Sequence, residues 1–289
     1  MIRDVWAYNL DEELEVIRRL VLTYKHVAMD TEFPGVVARP VGVFKTGGEY
    51  QYHSLRLNCD MLKIIQLGVT FADDAGNLPE PCHTWQFNFG FRLDEDIHAP
   101  ESIELLRNSG IDFDRFARDG IDLLRFGEVL TTSGLVCNEG VKWVSFHSGY
   151  DFGYLLRVLT NSPLPESERE FFDVLGLFFP CIYDIKYIVR NEDTLRGGLS
   201  KVADSLGVQR IGPMHQAGSD ALLTLNTFFA VRRQLFNGEL NDDKCMGVLY
   251  GLGNDKGGNY VPQIAGGGFG SQGSFSHGYG SQGNFGFST

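Results

Sequence analysis

The sequence predicts a single α/β domain built on a mixed β-sheet. Three observations carry that reading. Strand-like segments crowd into the first hundred residues, helix-like segments dominate afterwards, and one further strand pattern falls between two helices.

In chain order, residues 9–23 read as a helix, with acids in the first turn and Leu14, Ile17, Leu20 and Val21 as an apolar stripe. His26–Glu32 reads as a strand. Residues 63–71 form a second, apolar strand that ends in a turn at Asp73-Asp74-Ala75-Gly76-Asn77. Residues 83–91 alternate, placing Trp85, Phe87, Phe89 and Phe91 on one face, which predicts a core-facing stripe and a hairpin with the preceding strand. Residues 100–108 read as a helix opened by Pro100 and stopped at Gly110, and another helix ends near Gly134. Residues 141–147 are a short apolar strand, with a helix over 151–159 after it. Further helices are expected over 166–178, 199–206 and 217–236, the last two stopped by Gly207 and Gly238.

These elements place one domain over residues 1–252. Beyond it, residues 253–289 are rich in Gly, Ser, Gln and Phe, and no charged residue follows Lys256. Gly268-Phe-Gly-Ser-Gln-Gly-Ser-Phe275 recurs ten residues later as Gly278-Tyr-Gly-Ser-Gln-Gly-Asn-Phe285. Such a segment lacks the aliphatic side chains to bury a core and is expected to be disordered.

Composition narrows the function classes. Hydrophobic residues make up 43% and charged residues 21%, as in ordinary globular proteins, and no apolar run is long enough for a membrane helix. The acidic start of the chain is not that of a signal or transit peptide. The five cysteines are scattered without a Cys-x-x-Cys pair, so buried free thiols in a reducing compartment are expected. A net charge of −12 argues against tight binding of long nucleic acid through many phosphates. It leaves room for an enzyme that holds a few terminal nucleotides, and carboxylates are what a magnesium site requires.

Three acidic positions are candidates for such a site. In Asp30-Thr31-Glu32, residues i and i+2 of a strand put both carboxylates on one face, where their repulsion calls for a cation. Asp151 follows a strand and opens a helix, although Ser148-x-x-Asp151 also reads as a capping box. Asp220 lies in the first turns of a long apolar helix, where the dipole favours an acid. His215 precedes it by five residues, and within one helix the two would point about 140° apart. His215 is therefore expected on the entering loop, swung over the same site.

The order Asp-x-Glu, Asp, His-x-x-x-x-Asp resembles the histidine-containing branch of the DEDD exonucleases. The resemblance is closer still over longer motifs. Met29-Asp-Thr-Glu-Phe-Pro-Gly-Val-Val-Ala-Arg39, Lys63-Ile-Ile-Gln-Leu-Gly68, Thr84-Trp-Gln-Phe-Asn-Phe89, Ser145-Phe-His-Ser-Gly-Tyr-Asp-Phe152 and Ile211-Gly-Pro-Met-His-Gln-Ala-Gly-Ser-Asp220 look like the Caf/Pop deadenylase subunits of the Ccr–Not complex. The likeness runs from about Asp4 to Gly253 and leaves out the tail.

The resemblance implies an RNase H-like fold and 3′-to-5′ removal of mRNA poly(A) tails with release of 5′-AMP. It carries the family's four metal-binding acids onto Asp30, Glu32, Asp151 and Asp220, and its general base onto His215. Two divalent ions roughly 4 Å apart are expected, Mg²⁺ or else Mn²⁺, with Asp151 on the ion that stabilises the leaving oxygen. Met214 stands where much of the family has glutamine. It adjoins the base and replaces no ligand. Phe33, beside the acid pair, is a candidate stacking surface for a base, its other reading being a core ring that anchors the Pro34-Gly35 turn. Trp85 and Trp143 read as core.

The implied partners are the Ccr–Not scaffold subunit, a second deadenylase and antiproliferative regulators of the Tob/BTG kind, with residence in the cytoplasm, including processing bodies, and in the nucleus. Two other functions stay open at this point: a non-catalytic adaptor in the same complex, and a DEDD exonuclease for other RNA 3′ ends.

Overall fold

The computed structural model describes residues 1–253. The tail expected over 253–289 lies, Gly253 apart, outside the described residues.

The chain opens with β1 (Ile2–Val5), α1 (Leu10–Leu20) and β2 (His26–Glu32). Then come α2 (Gly47–Met61), β3 (Gln66–Ala72) and β4 (Thr84–Asn88). Three helices follow, α3 (Pro100–Asn108), α4 (Phe113–Asp119) and α5 (Leu123–Thr131). Strand β5 (Lys142–Ser145), α6 (Gly149–Thr160), α7 (Glu168–Phe178) and β6 (Cys181–Asp184) come next. The described chain ends with α8 (Ile185–Ile188), α9 (Leu199–Ser205), α10 (Ala217–Phe236) and α11 (Asp242–Cys245).

The six strands form one mixed sheet in the order β1-β4-β3-β2-β5-β6. Strands β2, β3 and β4 run antiparallel as a meander, while β5 and β6 lie parallel to β2, and β1 parallel to β4. This is the RNase H-like arrangement, with β1 added at one edge. The hairpin expected from the Trp85 stripe is present, and Trp85, Phe87, Phe89 and Phe91 are all buried. Strand β4 is shorter than the alternation suggests, although the pairing runs one residue further: Phe89 N–H donates to the Ile65 carbonyl and Phe89 also bridges Ile121.

Helices cover both faces. One face packs Val27, Met29, Leu67, Val69, Trp85 and Trp143 against α1, α2, α5, α6 and α7. The other packs Ala28, Ala72 and Val144 against α9 and α10. Every residue of β2 is buried. The polar half of the alternation in β3 and β4 therefore meets protein instead of water: Gln66, Thr70, Thr84, Gln86 and Asn88 are all buried.

The five cysteines are free; Cys59, Cys82 and Cys245 are buried, and Cys137 is exposed. Among the described residues, no helix is long and apolar enough to cross a membrane.

Candidate active site

Strand β2 supplies the first two acids, and its central place in the sheet explains their burial. Asp30 and Glu32 project from the face that α10 covers, in register with Gly68 and Gln66 of β3. At Gly68 a Cβ would stand 1.9 Å from the Ala217 carbonyl oxygen, so the missing side chain is what lets the first turn of α10 lie on the sheet. That turn has no side-chain cap from its own N-cap residue. Two glutamines of the sheet cap it instead: Ala217 N–H donates to Gln66 Oε1 at 3.2 Å and Gly218 N–H to Gln86 Oε1 at 2.9 Å.

So docked, α10 brings Asp220 onto the strand pair. One carboxylate oxygen from each of Asp30, Glu32 and Asp220 lies within 4.8 Å of the others, and all three residues are buried. Asp220 is held by Arg210 at 2.8 Å and accepts from Gln216 N–H at 3.3 Å. Asp30 Oδ2 and Glu32 Oε1 are buried without a hydrogen-bond partner.

Asp151 reaches the site from the other side of β2. Strand β5 pairs with β2 only as far as Ala28, and beyond that point Thr31 N–H needs another acceptor. Asp151 Oδ1 provides it at 3.0 Å and also accepts from Thr31 Oγ1 at 2.6 Å. Asp151 is thus no capping residue. Ser148 makes no side-chain cap, and its hydroxyl pairs with that of Ser145 at 2.6 Å. The loop before α6 is fixed by Asp184, fully buried, which accepts from the N–H groups of His147, Ser148, Lys186 and Tyr250.

Burial of four carboxylates, three of them around the Arg210 guanidinium, dominates the electrostatics. Desolvation, and then the neighbouring acids, push Asp30 and Glu32 well above the usual carboxylate range. Desolvation raises Asp151 to about 6 against the opposing hydrogen bonds from Thr31. Asp220 is raised as well, since its desolvation outweighs the contact with Arg210. His215 lies on the loop before α10, half-buried, with a left-handed backbone (φ 60°). Desolvation holds its imidazole below the ordinary histidine value, hence neutral at pH 7.

Phe33 is placed differently from the stacking candidate. It is 7% exposed, one face stacks on Tyr150 at 5.3 Å, and Tyr154 packs beside it. With that face occupied by protein, it is the core ring behind the Pro34-Gly35 turn, and Pro34 O accepts from Ala99 N–H. Met214 is half exposed, with its sulfur 4.0 Å from Ser200 Oγ. The supporting residues Thr31, Gln66, Gln86, Asp184 and Arg210 had no signature of their own; their roles arise from chain segments distant in sequence.

An RNase H-like sheet with this carboxylate set defines a nuclease of the DEDD class. The model of the CAF1 family ribonucleases matches residues 5–128 and 133–228, and the chain belongs to that family. The poly(A) ribonuclease pop2 of Schizosaccharomyces pombe is 53% identical over 253 residues, 88% of this chain and 75% of that protein. The probable CCR4-associated factor 1 homolog 7 of Arabidopsis thaliana is 53% identical over 263 residues, 89% of this chain and 94% of that protein. Among solved structures, the Mg²⁺- and Mn²⁺-bound form of S. pombe Pop2p superposes with a TM-score of 0.85 at 52% identity, covering 87% of this chain and 99% of that one. Yeast CAF1 co-crystallized with the NOT1 MIF4G domain gives a TM-score of 0.71 at 33% identity, covering 86% and 96%.

Proposed function

We propose that this chain is a 3′-to-5′ exoribonuclease that shortens the poly(A) tails of mRNA and releases 5′-AMP as a catalytic subunit of the Ccr–Not complex. One observation carries the reading: carboxylates from β2 and α10 converge on one buried point and leave Asp30 Oδ2 and Glu32 Oε1 unpaired. Unpaired, buried, mutually repelling oxygens are costly unless a cation joins them. Hard oxygen donors suit Mg²⁺ or Mn²⁺, the ions named for the S. pombe Pop2p structure.

Asp30, Glu32 and Asp220 would hold one ion, and Asp151, set apart against Thr31, would serve a second. When bound, such ions lower the pKa of attacking water and stabilise the charge of a phosphodiester under displacement. His215, neutral at pH 7, accepts the proton of the water as its oxygen bonds to phosphorus. The P–O3′ bond breaks, and the departing 3′ oxygen takes up a proton from solvent water, while His215 later returns its proton to solvent. The protein is acidic overall, so tight independent RNA binding is disfavoured. Delivery by a scaffold of the NOT1 kind fits that, with a second deadenylase and Tob/BTG-type regulators as further partners in cytoplasm and nucleus. The name of the S. pombe relative supports poly(A) as substrate.

The test is a 5′-labelled RNA ending in poly(A), incubated with Mg²⁺, Mn²⁺ or EDTA, using wild type and Asp30→Ala. A metal-dependent ladder shortening from the 3′ end, lost in a folded Asp30→Ala protein, is expected. Poly(U) and single-stranded DNA tails should shorten more slowly; equal rates would make it a general 3′ exonuclease. No shortening by folded wild type with either metal would leave the adaptor function.

A further inference from the structure

The loop that carries His215 is tied to α10 at its start, where the Ile211 carbonyl accepts from Ser219 Oγ at 2.9 Å, and is exposed beyond that point. Ile211, Gly212, Pro213 and Met214 are exposed, and Met214 touches Ser200 only through a 4.0 Å contact between Oγ and Sδ. A left-handed histidine persists only where its surroundings impose that backbone. The residue after it makes the connection. Gln216 Nε2 donates to the Ser109 carbonyl at 3.0 Å, and Gln216 Oε1 accepts from Gln86 Nε2 at 3.0 Å. Ser109 closes the ring from its side: its hydroxyl stands 3.0 Å from the His215 carbonyl oxygen and 2.8 Å from that of Leu106, one proton shared between two acceptors. Gln86 is fixed in turn, donating to Asp4 Oδ1 at 2.9 Å and accepting from Gly218 N–H. Both ends of the Gln216 amide are thus engaged, one at the end of α3 and the other on β4, one residue from the imidazole.

We propose that Gln216 is a positioning residue for His215, its bridged side chain fixing the loop so that the imidazole keeps one place beside the acid cluster. The inference rests on the reading of His215 as general base. A proton acceptor must stay within about 3 Å of the group it serves, and a misplacement of about 1 Å costs on the order of a hundredfold in rate. The bond from Gln216 to Asp220 uses the backbone N–H. Replacing the side chain therefore loosens the loop while leaving the carboxylates their partners.

The experiment uses the full chain with Gln216→Met, which keeps the length of the side chain and removes both hydrogen bonds. Single-turnover rates and KM on poly(A)-tailed RNA are measured together with thermal stability at a series of Mn²⁺ concentrations, in wild-type and His215→Asn backgrounds. Expected is a fall in rate of about tenfold or more, with KM and the Mn²⁺ midpoint changed by less than about twofold. In the His215→Asn background the same substitution should cost nothing further. An unchanged rate, a matching shift of the Mn²⁺ midpoint, or full additivity with His215→Asn would each overturn the positioning role. If His215→Asn alone keeps the wild-type rate, the general-base reading falls, and this inference with it. A slow His215→Asn beside a normal Gln216→Met removes only the inference.

Discussion

At the scale of single side chains, the four acids differ in what they are bonded to. Asp151 is held by the N–H and hydroxyl of Thr31, Asp220 by Arg210, and Asp30 and Glu32 each keep a bare oxygen. Thr31 therefore has a role that its place between two carboxylates conceals, because its side chain points to the opposite face of the strand. Thr31→Val keeps the branched shape and the backbone bond while deleting the 2.6 Å hydroxyl contact. A bond to a charged acceptor contributes about 1.5–3 kcal/mol, and urea denaturation should show a loss of that size. Metal-dependent cleavage should weaken in parallel, since Asp151 is freed to rotate. Equal midpoints for variant and wild type would mean that the backbone N–H alone fixes Asp151.

At the scale of elements, the decisive event is the landing of α10 on β2 and β3. The sequence already places Asp220 and His215 relative to this helix, but its docking depends on Gly68, Gln66 and Gln86. Gly68→Ala drives a methyl into the Ala217 carbonyl. Overpacking of this kind costs about 3 kcal/mol, and the thermal midpoint should fall accordingly. Because the helix must lift to relieve the clash, Asp220 moves with it, and the Mn²⁺ needed for half-maximal stabilisation should rise. A variant that loses stability yet keeps the wild-type Mn²⁺ midpoint would show that the helix absorbs the clash without moving its acid.

The same scale shows which elements were legible. Helix α3 was readable to the residue because Pro100 and Gly110 bracket it, and β2 because its acids sit in an apolar run. Strands β1 and β6 were missed: four residues each leave too little alternation to detect. Helix α2 was missed because its glycine-led, mixed-polarity sequence buries Tyr52, Leu55, Asn58 and Cys59 without forming a clear stripe.

At the scale of the whole molecule, a chain of net charge −12 buries three carboxylates at one point, Asp30, Glu32 and Asp220, with a fourth, Asp151, buried beside Thr31. Their folded pKa values lie above those of unfolded carboxylates, near 4. Between the two values the folded state binds more protons, so in EDTA these groups make stability fall as pH rises. For Asp151 that window runs from about 4 to about 6; Asp30 and Glu32 extend it upward. Asp30→Asn should therefore be more thermostable than wild type in EDTA at pH 7.5, and the difference should shrink as pH falls toward 4. Mn²⁺ at a hundred times its Kd should stabilise wild type by about 2.7 kcal/mol, and the Asn variant by far less. Thermal scans across pH with and without Mn²⁺ check both. A variant less stable than wild type at pH 7.5 would mean that the carboxylate is held by contacts that outweigh the repulsion.

The sequence by itself determined the chemistry available to this protein. Residue spacing put Asp30 and Glu32 on one face, Asp220 at a helix start and His215 on the loop before it, because strand and helix periods are local properties of the chain. Only the tertiary structure decided how those groups are used. Asp151 serves Thr31 instead of capping its helix, because β5 stops short of the end of β2. Phe33 turns inward because Tyr150 and Tyr154 from α6 enclose it, and Gln66 and Gln86 cap a helix more than a hundred residues away. Each of these follows from burial between distant segments, where an unpaired polar group must find whatever partner the packing brings within about 3 Å.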